Sequence, residues 1–242
     1  MNARRQRVDG EPAFVLHTYA YSETSLIAEV FSRSHGRLAL LARGARRPRS
    51  VMRGVLLSFQ PLELGWFGGG EVKTLAKAEW RGGTPLLQGK ALLVGYYLNE
   101  LLLKLLPRED AHDRLFDAYA LTVSRLASGG VEAATLRRFE LALLRELGYG
   151  LQLETEVGRG RPIEREADYV YEIERGPVAV SASDVDAALR IGGGTLLDMA
   201  ADRFDDARTL QESKLLMRRL LAHYLGGKPL QSRKVFMEMS EP

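Results

Sequence analysis

The chain has 242 residues, 45% of them hydrophobic and 27% charged, with a formal net charge of only +3, which suits one large globular domain or two to three small ones. It contains no cysteine, and this excludes disulfides, thiolate zinc sites, iron–sulfur clusters and cysteine nucleophiles together. The first twelve residues carry Arg4, Arg5, Arg7, Asp9 and Glu11 and lack the apolar core of a secretory signal, while the most apolar segment, 91–106, is broken by Asn99, Glu100 and Lys104 and falls short of the roughly 20 apolar residues of a membrane span; the expected location is cytoplasmic.

From Pro12 to about Trp80 the signals are strands. Residues 13–19 are aromatic and β-branched, 25–31 are largely apolar, 36–43 are an apolar run bounded by Gly36 and Gly44, and 56–67 and 71–79 flank a turn at Gly68-Gly69-Gly70. Five short strands with glycine turns predict a small closed barrel. The oligonucleotide/oligosaccharide-binding (OB) fold is the favoured nucleic-acid version, and an SH3-like barrel is the alternative.

The charge is concentrated inside this barrel. Residues 33–53 hold Arg33, Arg37, Arg43, Arg46, Arg47, Arg49 and Arg53 with no acid among them, the nearest being Glu29 and Glu63. Pro48 removes a backbone donor and biases Arg47 toward an extended conformation, so residues 44–50 read as a basic loop. A planar guanidinium donates two parallel hydrogen bonds to one phosphate and also stacks on a base, so the loop points to a nucleic-acid backbone; a solvated surface loop is the plain alternative.

After Trp80 the period becomes helical. Thr84-Pro85 predicts a helix start, with Leu92, Leu93, Tyr96, Tyr97, Leu101, Leu102 and Leu105 as its stripe and Pro107 as its stop. Further helices are expected at 110–127 and 131–147. A weaker stretch, 158–181, contains a hairpin of 169–173 and 178–181 around Gly176-Pro177. Helical signals return at 183–190, 196–203 and 209–225, and a second basic segment follows at 228–234.

Signatures of catalysis are missing. Residues 83–91 have five residues between the glycines of a would-be P-loop and Ala91 where a hydroxyl belongs, and Gly158-Arg159-Gly160 lacks the third glycine of a dinucleotide fingerprint. Gly192-Gly193-Gly194 reads as a turn. His17, His35, His112 and His223 stand singly without metal-ligand spacing, and Glu164, Glu166 and Asp168 read as a solvated acidic face. No active site is expected.

Short segments, in order, resemble the RecO family of bacterial recombination mediators along nearly the whole chain: 13–17, 22–26, 36–37 through 44–46, 70–75 with 78–79, 99–102, 137–140 with 147–149, and 224–228 with 232–233. The resemblance implies an α+β protein. Its five-stranded OB-fold barrel would occupy 1–80, a helical domain 81–150, a small cysteine-free lobe 151–182, and C-terminal helices packing on the helical domain 183–242. Many relatives carry a four-cysteine zinc module in the region matching 151–181; without cysteine, no zinc is expected and the lobe should be held by packing alone.

The resemblance also implies binding of single- and double-stranded DNA, annealing of complementary strands, contact with the acidic C-terminal tail of the single-strand-binding protein SSB, and loading of RecA together with RecR, in association with the nucleoid during repair. Phosphates would meet the seven arginines of 33–53, with Arg233 and Lys234 extending the path, and Phe14, Tyr19, Tyr21 or Trp66 are candidates to stack bases. For the SSB tail, Arg137 is the first candidate for a carboxylate clamp and Arg138 the second, beside Leu141 and Leu144; an internal pair of Arg137 with Glu140 is the open alternative. A protein adaptor that binds acidic tails without annealing DNA is the competing function.

Overall fold

The computed structural model describes residues 7–130, 132–180 and 190–238, and the chain divides into two compact units, Met1–Val131 with Leu230–Pro242, and Glu132–Pro229. The boundary falls inside the stretch 81–150. Of the helix expected over 183–190, residues 183–189 lie outside the described residues and Arg190 begins a strand, and the start of the helix expected at Val131 also lies outside them.

In the first unit, β1 (Arg7–Ala20), β2 (Leu26–Ser32), β3 (Gly36–Ala42), β4 (Leu62–Phe67) and β5 (Val72–Trp80) close into a barrel of order β1-β2-β3-β5-β4. Only the β3–β5 pair is parallel, and β1 closes the ring by pairing with β2 through its second half and β4 through its first. That order is the OB fold. Alternation explains the interior: Ala28 and Val30, Leu38, Leu40 and Ala42, and Leu62, Leu64 and Trp66 all point into one cluster. The 13–16 segment is apolar without alternation because its other face is also covered, Phe14 lying 5.1 Å from Tyr119 and 5.5 Å from Phe116.

Those two rings belong to α3 (Asp113–Ala127), which follows α2 (Gly89–Leu105). A buried chain of hydrogen bonds fixes both helices to the barrel: the Tyr119 hydroxyl donates to Asn99 Oδ1 (2.6 Å), and Asn99 Nδ2 donates to the Leu16 carbonyl (2.8 Å). Burial pushes the Tyr119 hydroxyl pKa far up, so it stays a donor. The helix α2 begins at Gly89, not at Thr84-Pro85, and buries Ala91, Val94, Leu98, Leu101 and Leu102 while Tyr96 is exposed. Similarly, the strand expected over 56–67 starts only at Leu62, because α1 (Val51–Val55) and an irregular connection precede it.

The second unit contains α4 (Ala133–Glu146), a three-stranded sheet of order β7-β6-β8 from β6 (Asp168–Glu172), β7 (Gly176–Ala179) and β8 (Arg190–Gly192), then α5 (Gly193–Ala200) and α6 (Ala207–Tyr224). Gly176-Pro177 lies within β7, and the hairpin turns one step earlier, where Glu174 takes φ +67°. Nor is 192–194 a turn. The chain passes there from β8 into α5, and a Cβ on Gly193 would stand 1.9 Å from the Glu164 carbonyl oxygen, so glycine serves close backbone approach.

Packing alone does not hold the described part of the 151–182 lobe, contrary to expectation, since Arg165 and Asp168 are tied to the helices that follow. Asp198 of α5 accepts from Arg165 (2.8 Å) and Arg203 (2.9 Å). Glu212 of α6 accepts from the Gly192 N–H (2.9 Å), Thr195 (2.6 Å) and Arg208 (2.6 Å), and Arg208 reaches Asp168 (3.0 Å). The hydrogen bond from Arg165, aided by Arg203 and opposed by burial, draws the Asp198 carboxyl down to about 2.

A depressed carboxylate contributes its full stability above the unfolded pKa, about 4, and loses it as pH falls toward the folded value. Because the side chains of Arg165 and Arg203 are 46% and 55% exposed, screening reduces the expected loss to about 1 kcal/mol between about pH 4 and pH 2. Urea melts across that window should show this loss in the native chain and its disappearance in Asp198→Asn; equal acid dependence in both would refute the assignment.

Candidate nucleic-acid interface

The barrel register sets the place of the basic loop. Ala42, the last residue of β3, pairs with Leu26, the first of β2. The chain therefore leaves β3 beside the β1–β2 loop, and the two loops are joined there. Arg46 donates its backbone N–H to the Thr24 carbonyl (2.9 Å) and its guanidinium Nη1 to the Ser22 carbonyl (2.5 Å). The turn continues through Arg47 N to the Gly44 carbonyl (3.1 Å) and Ser50 N to the Arg47 carbonyl (3.0 Å) before α1 carries Arg53. This is a braced turn, consistent with the expected basic loop.

The seven arginines separate by partner. Arg33 is bidentate to Asp117 of α3 (2.5 and 2.7 Å), with its guanidinium 5.9 Å from the Phe116 ring centre. Arg37 donates to Glu29 (3.2 Å) and to the Leu106 carbonyl (3.0 Å), and Arg108 closes on the other oxygen of Glu29. These two arginines brace the barrel against the helical segment. By contrast, Arg43, Arg46, Arg47, Arg49 and Arg53 are exposed and form no ion pair with a described residue. Some exposed arginines elsewhere are neutralised, as Arg7 is by Asp9, Arg81 by Glu63 and Arg208 by Asp168. Five guanidiniums without an acidic partner on one loop and its helix give a local positive field, with only Arg46 Nη1 engaged, on the Ser22 carbonyl.

Of the stacking candidates, Trp66 is 1% exposed and Phe14 is also core, so neither faces a ligand. Tyr19 and Tyr21 are 49% and 63% exposed, and Tyr21 opens the loop that receives Arg46. Arg233 and Lys234 sit on α7 (Gln231–Glu238), which packs on α2 instead of the basic loop. Glu100 of α2 caps α7 by accepting from Gln231 N (2.9 Å), Ser232 N (2.9 Å) and Ser232 Oγ (2.7 Å). Burial opposes ionisation of Glu100, but these hydrogen bonds outweigh it and lower its pKa.

On α4 the open alternative is the arrangement found: Arg137, whose side chain is 9% exposed, is ion-paired with Glu140 (2.8 Å) and donates one hydrogen bond to its Oε1 (3.0 Å). Arg138 is more accessible and binds Asp202 (2.8 and 3.0 Å) over the Phe204 ring. Leu141 is partly exposed, whereas Leu144 is buried in the core. The structure thus brings Arg138 and Leu141 nearer to solvent than the other two. The backbone carbonyls of Ser22 and Thr24, which set the direction of Arg46, had no signature in the sequence.

Among the described residues no helix is long and apolar enough to cross a membrane. The model of the recombination protein O N-terminal region matches residues 10–83, and that of the recombination protein O C-terminal region matches 86–234. Curated relatives named DNA repair protein RecO are similar over nearly their full length: 58% identical in Aromatoleum aromaticum over 99% of both chains, 57% in Azoarcus sp. over 99% of both, and 57% in Dechloromonas aromatica over 98% of both. With an OB-fold barrel, a remainder of helices and a small three-stranded sheet, and matches spanning both parts, the chain belongs to the RecO family of DNA repair proteins.

Proposed function

We propose that this chain is a non-enzymatic mediator that binds single- and double-stranded DNA without sequence preference and anneals complementary strands. The carrying observation is the set of five arginines without an acidic partner on the β3–α1 loop and α1 of an OB barrel. Guanidiniums that meet phosphates give sequence-independent affinity, as annealing of arbitrary strands requires. They also lower the repulsion between two strands, so pairing finds its register without nucleotide hydrolysis.

Family membership supports the further partners: RecR, RecA loading on SSB-coated DNA, and the SSB tail, with action in the cytoplasm at the nucleoid. For the tail we place the carboxylate contact at Arg138, with Leu141 beside it, because Arg137 already holds Glu140 within α4. An incoming acidic tail replaces Asp202 on the same guanidinium.

The test is annealing of two complementary oligonucleotides, each precoated with SSB, followed by fluorescence without nucleotide. Acceleration that requires an intact SSB tail is expected. Tail binding without acceleration would overturn annealing and favour the adaptor reading, which the partly exposed Arg138 also suits.

A further inference from the structure

Annealing brings two strands to one molecule, and the barrel loop accounts for one. In the second unit, a cleft of about 260 Å³ opens between the end of α4, the β6–β7 hairpin and the C-terminal half of α6. Tyr149 and Tyr224 stack along it with ring centres 4.1 Å apart and planes at 18°. Phe14 with Tyr119 at 73° and Phe59 with Tyr96 at 74° meet edge-on instead. A parallel pair leaves a flat outer face available, and Tyr149 remains 45% exposed.

The surroundings suit one class of ligand. Tyr171 and Leu220 are the cleft's buried lining residues, while Gln152, Glu174 and Arg175 supply polar edges, Glu174 being paired with His223 (3.2 Å) and Arg175 with Glu172. This volume lies below the usual range for ligand pockets of about 300–1,000 Å³, so it has room for one flat ring system with polar edges, not for a folded peptide. Charge supports the same class: residues 213–229 contain Lys214, Arg218, Arg219 and Lys228 and no acid. Lys214, Arg218 and Lys228 are exposed on or just after the helix that supplies Tyr224.

We infer that the Tyr149–Tyr224 cleft is a second single-stranded DNA site, in which a nucleobase stacks on Tyr149 and the cations of α6 attract its backbone. This rests on the annealing function proposed above and adds where the second strand sits. Base–aromatic stacking contributes about 1–3 kcal/mol per base, and the lower part of that range corresponds to about tenfold in affinity.

The experiment uses the full chain and oligonucleotides carrying a single 5-iodouracil. Irradiation, digestion and mass spectrometry locate the cross-link, and titration counts strands bound per chain. Two strands are expected, with one cross-link on the peptide containing Tyr149. Tyr149→Ala should weaken the second binding event about tenfold and slow annealing, while Tyr149→Phe, which keeps the ring, should restore both.

One strand per chain, cross-links confined to the barrel, or Tyr149→Ala annealing at the native rate with unchanged strand count would each overturn the site. So would competition at the cleft by an acidic peptide ending in phenylalanine but not by DNA. Failure of the basic-loop reading gives a different pattern: substitutions at Arg46, Arg47 and Arg49 would leave the first binding event intact while the Tyr149 cross-link persists. If Tyr149→Ala unfolds, the strand count and cross-link of the native chain decide alone.

Discussion

Replacing Arg46, Arg47 and Arg49 together by alanine is expected to flatten the salt dependence of single-strand binding by about two units of slope. If the five unpaired arginines each meet a phosphate, the native slope is about −3.5 and affinity falls roughly a hundredfold between 50 and 200 mM salt. With two contacts left the slope is about −1.4, and the same change of salt costs only about sevenfold. Stability should barely change, because the three side chains are exposed and only Arg46 contributes a side-chain hydrogen bond, to the Ser22 carbonyl. Titrations of a labelled oligonucleotide at several salt concentrations measure the slope, and a urea melt measures stability. A native slope in the triple variant would remove this loop from the DNA path.

Arg33→Ala and Arg37→Ala form the contrasting pair. Both belong to the same acid-free stretch, but their partners are Asp117 and Glu29. Charge density was therefore legible in the sequence, while the division of those charges between DNA and fold was not. Arg33 finds its acid 84 residues away, and Arg37 is enclosed with Arg108 around a carboxylate on the neighbouring strand. The packing of α3 and of the segment after α2 against the β2–β3 hairpin makes those neighbours. The pair that was legible, Arg137 with Glu140, is three residues apart on one helix and needs no tertiary information.

The same division runs through the fold. Strands β2 and β3 were visible from apolar runs, because each spans a short segment with a buried face, and β5 from the glycine turn that precedes it. The first half of β1 was missed since Arg7, Asp9 and Glu11 give no apolar pattern; pairing with β4 makes it a strand. The stripe on α2 was misphased because Leu92, Leu93, Val94, Tyr96, Tyr97 and Leu98 are apolar on every side of the helix, so periodicity had no contrast to report. Gly193 looked like turn chemistry, yet its requirement comes from the Glu164 backbone across the unit.

Glu29→Ala should be the most damaging single substitution of a charged group in the first unit. Glu29 is 4% exposed on β2 and holds both Arg37 and Arg108, while Arg37 also donates to the Leu106 carbonyl and its own carbonyl accepts from the Glu109 N–H (2.9 Å). Close by, Gly36 at φ +65° lies so near the Asp110 carbonyl oxygen that a Cβ would approach it to 1.8 Å, so the 106–110 segment has no room to retreat from β3. Alanine leaves two guanidiniums facing each other in a half-buried space, and removal of one partner from a buried pair costs about 3–5 kcal/mol. Glu29→Gln should cost less, since the amide oxygen still accepts one hydrogen bond. Replacing Glu29 and Arg37 together by leucine should recover part of the loss, because apolar side chains of similar volume remove the uncompensated charge instead of exposing it. Urea unfolding of the three variants measures the series; a loss below about 1 kcal/mol for Glu29→Ala would show that the cluster is solvated and contributes little. If the cluster is structural, Glu29→Gln should also keep the native salt slope for DNA, which separates the arginines that hold the barrel from those that face the phosphates.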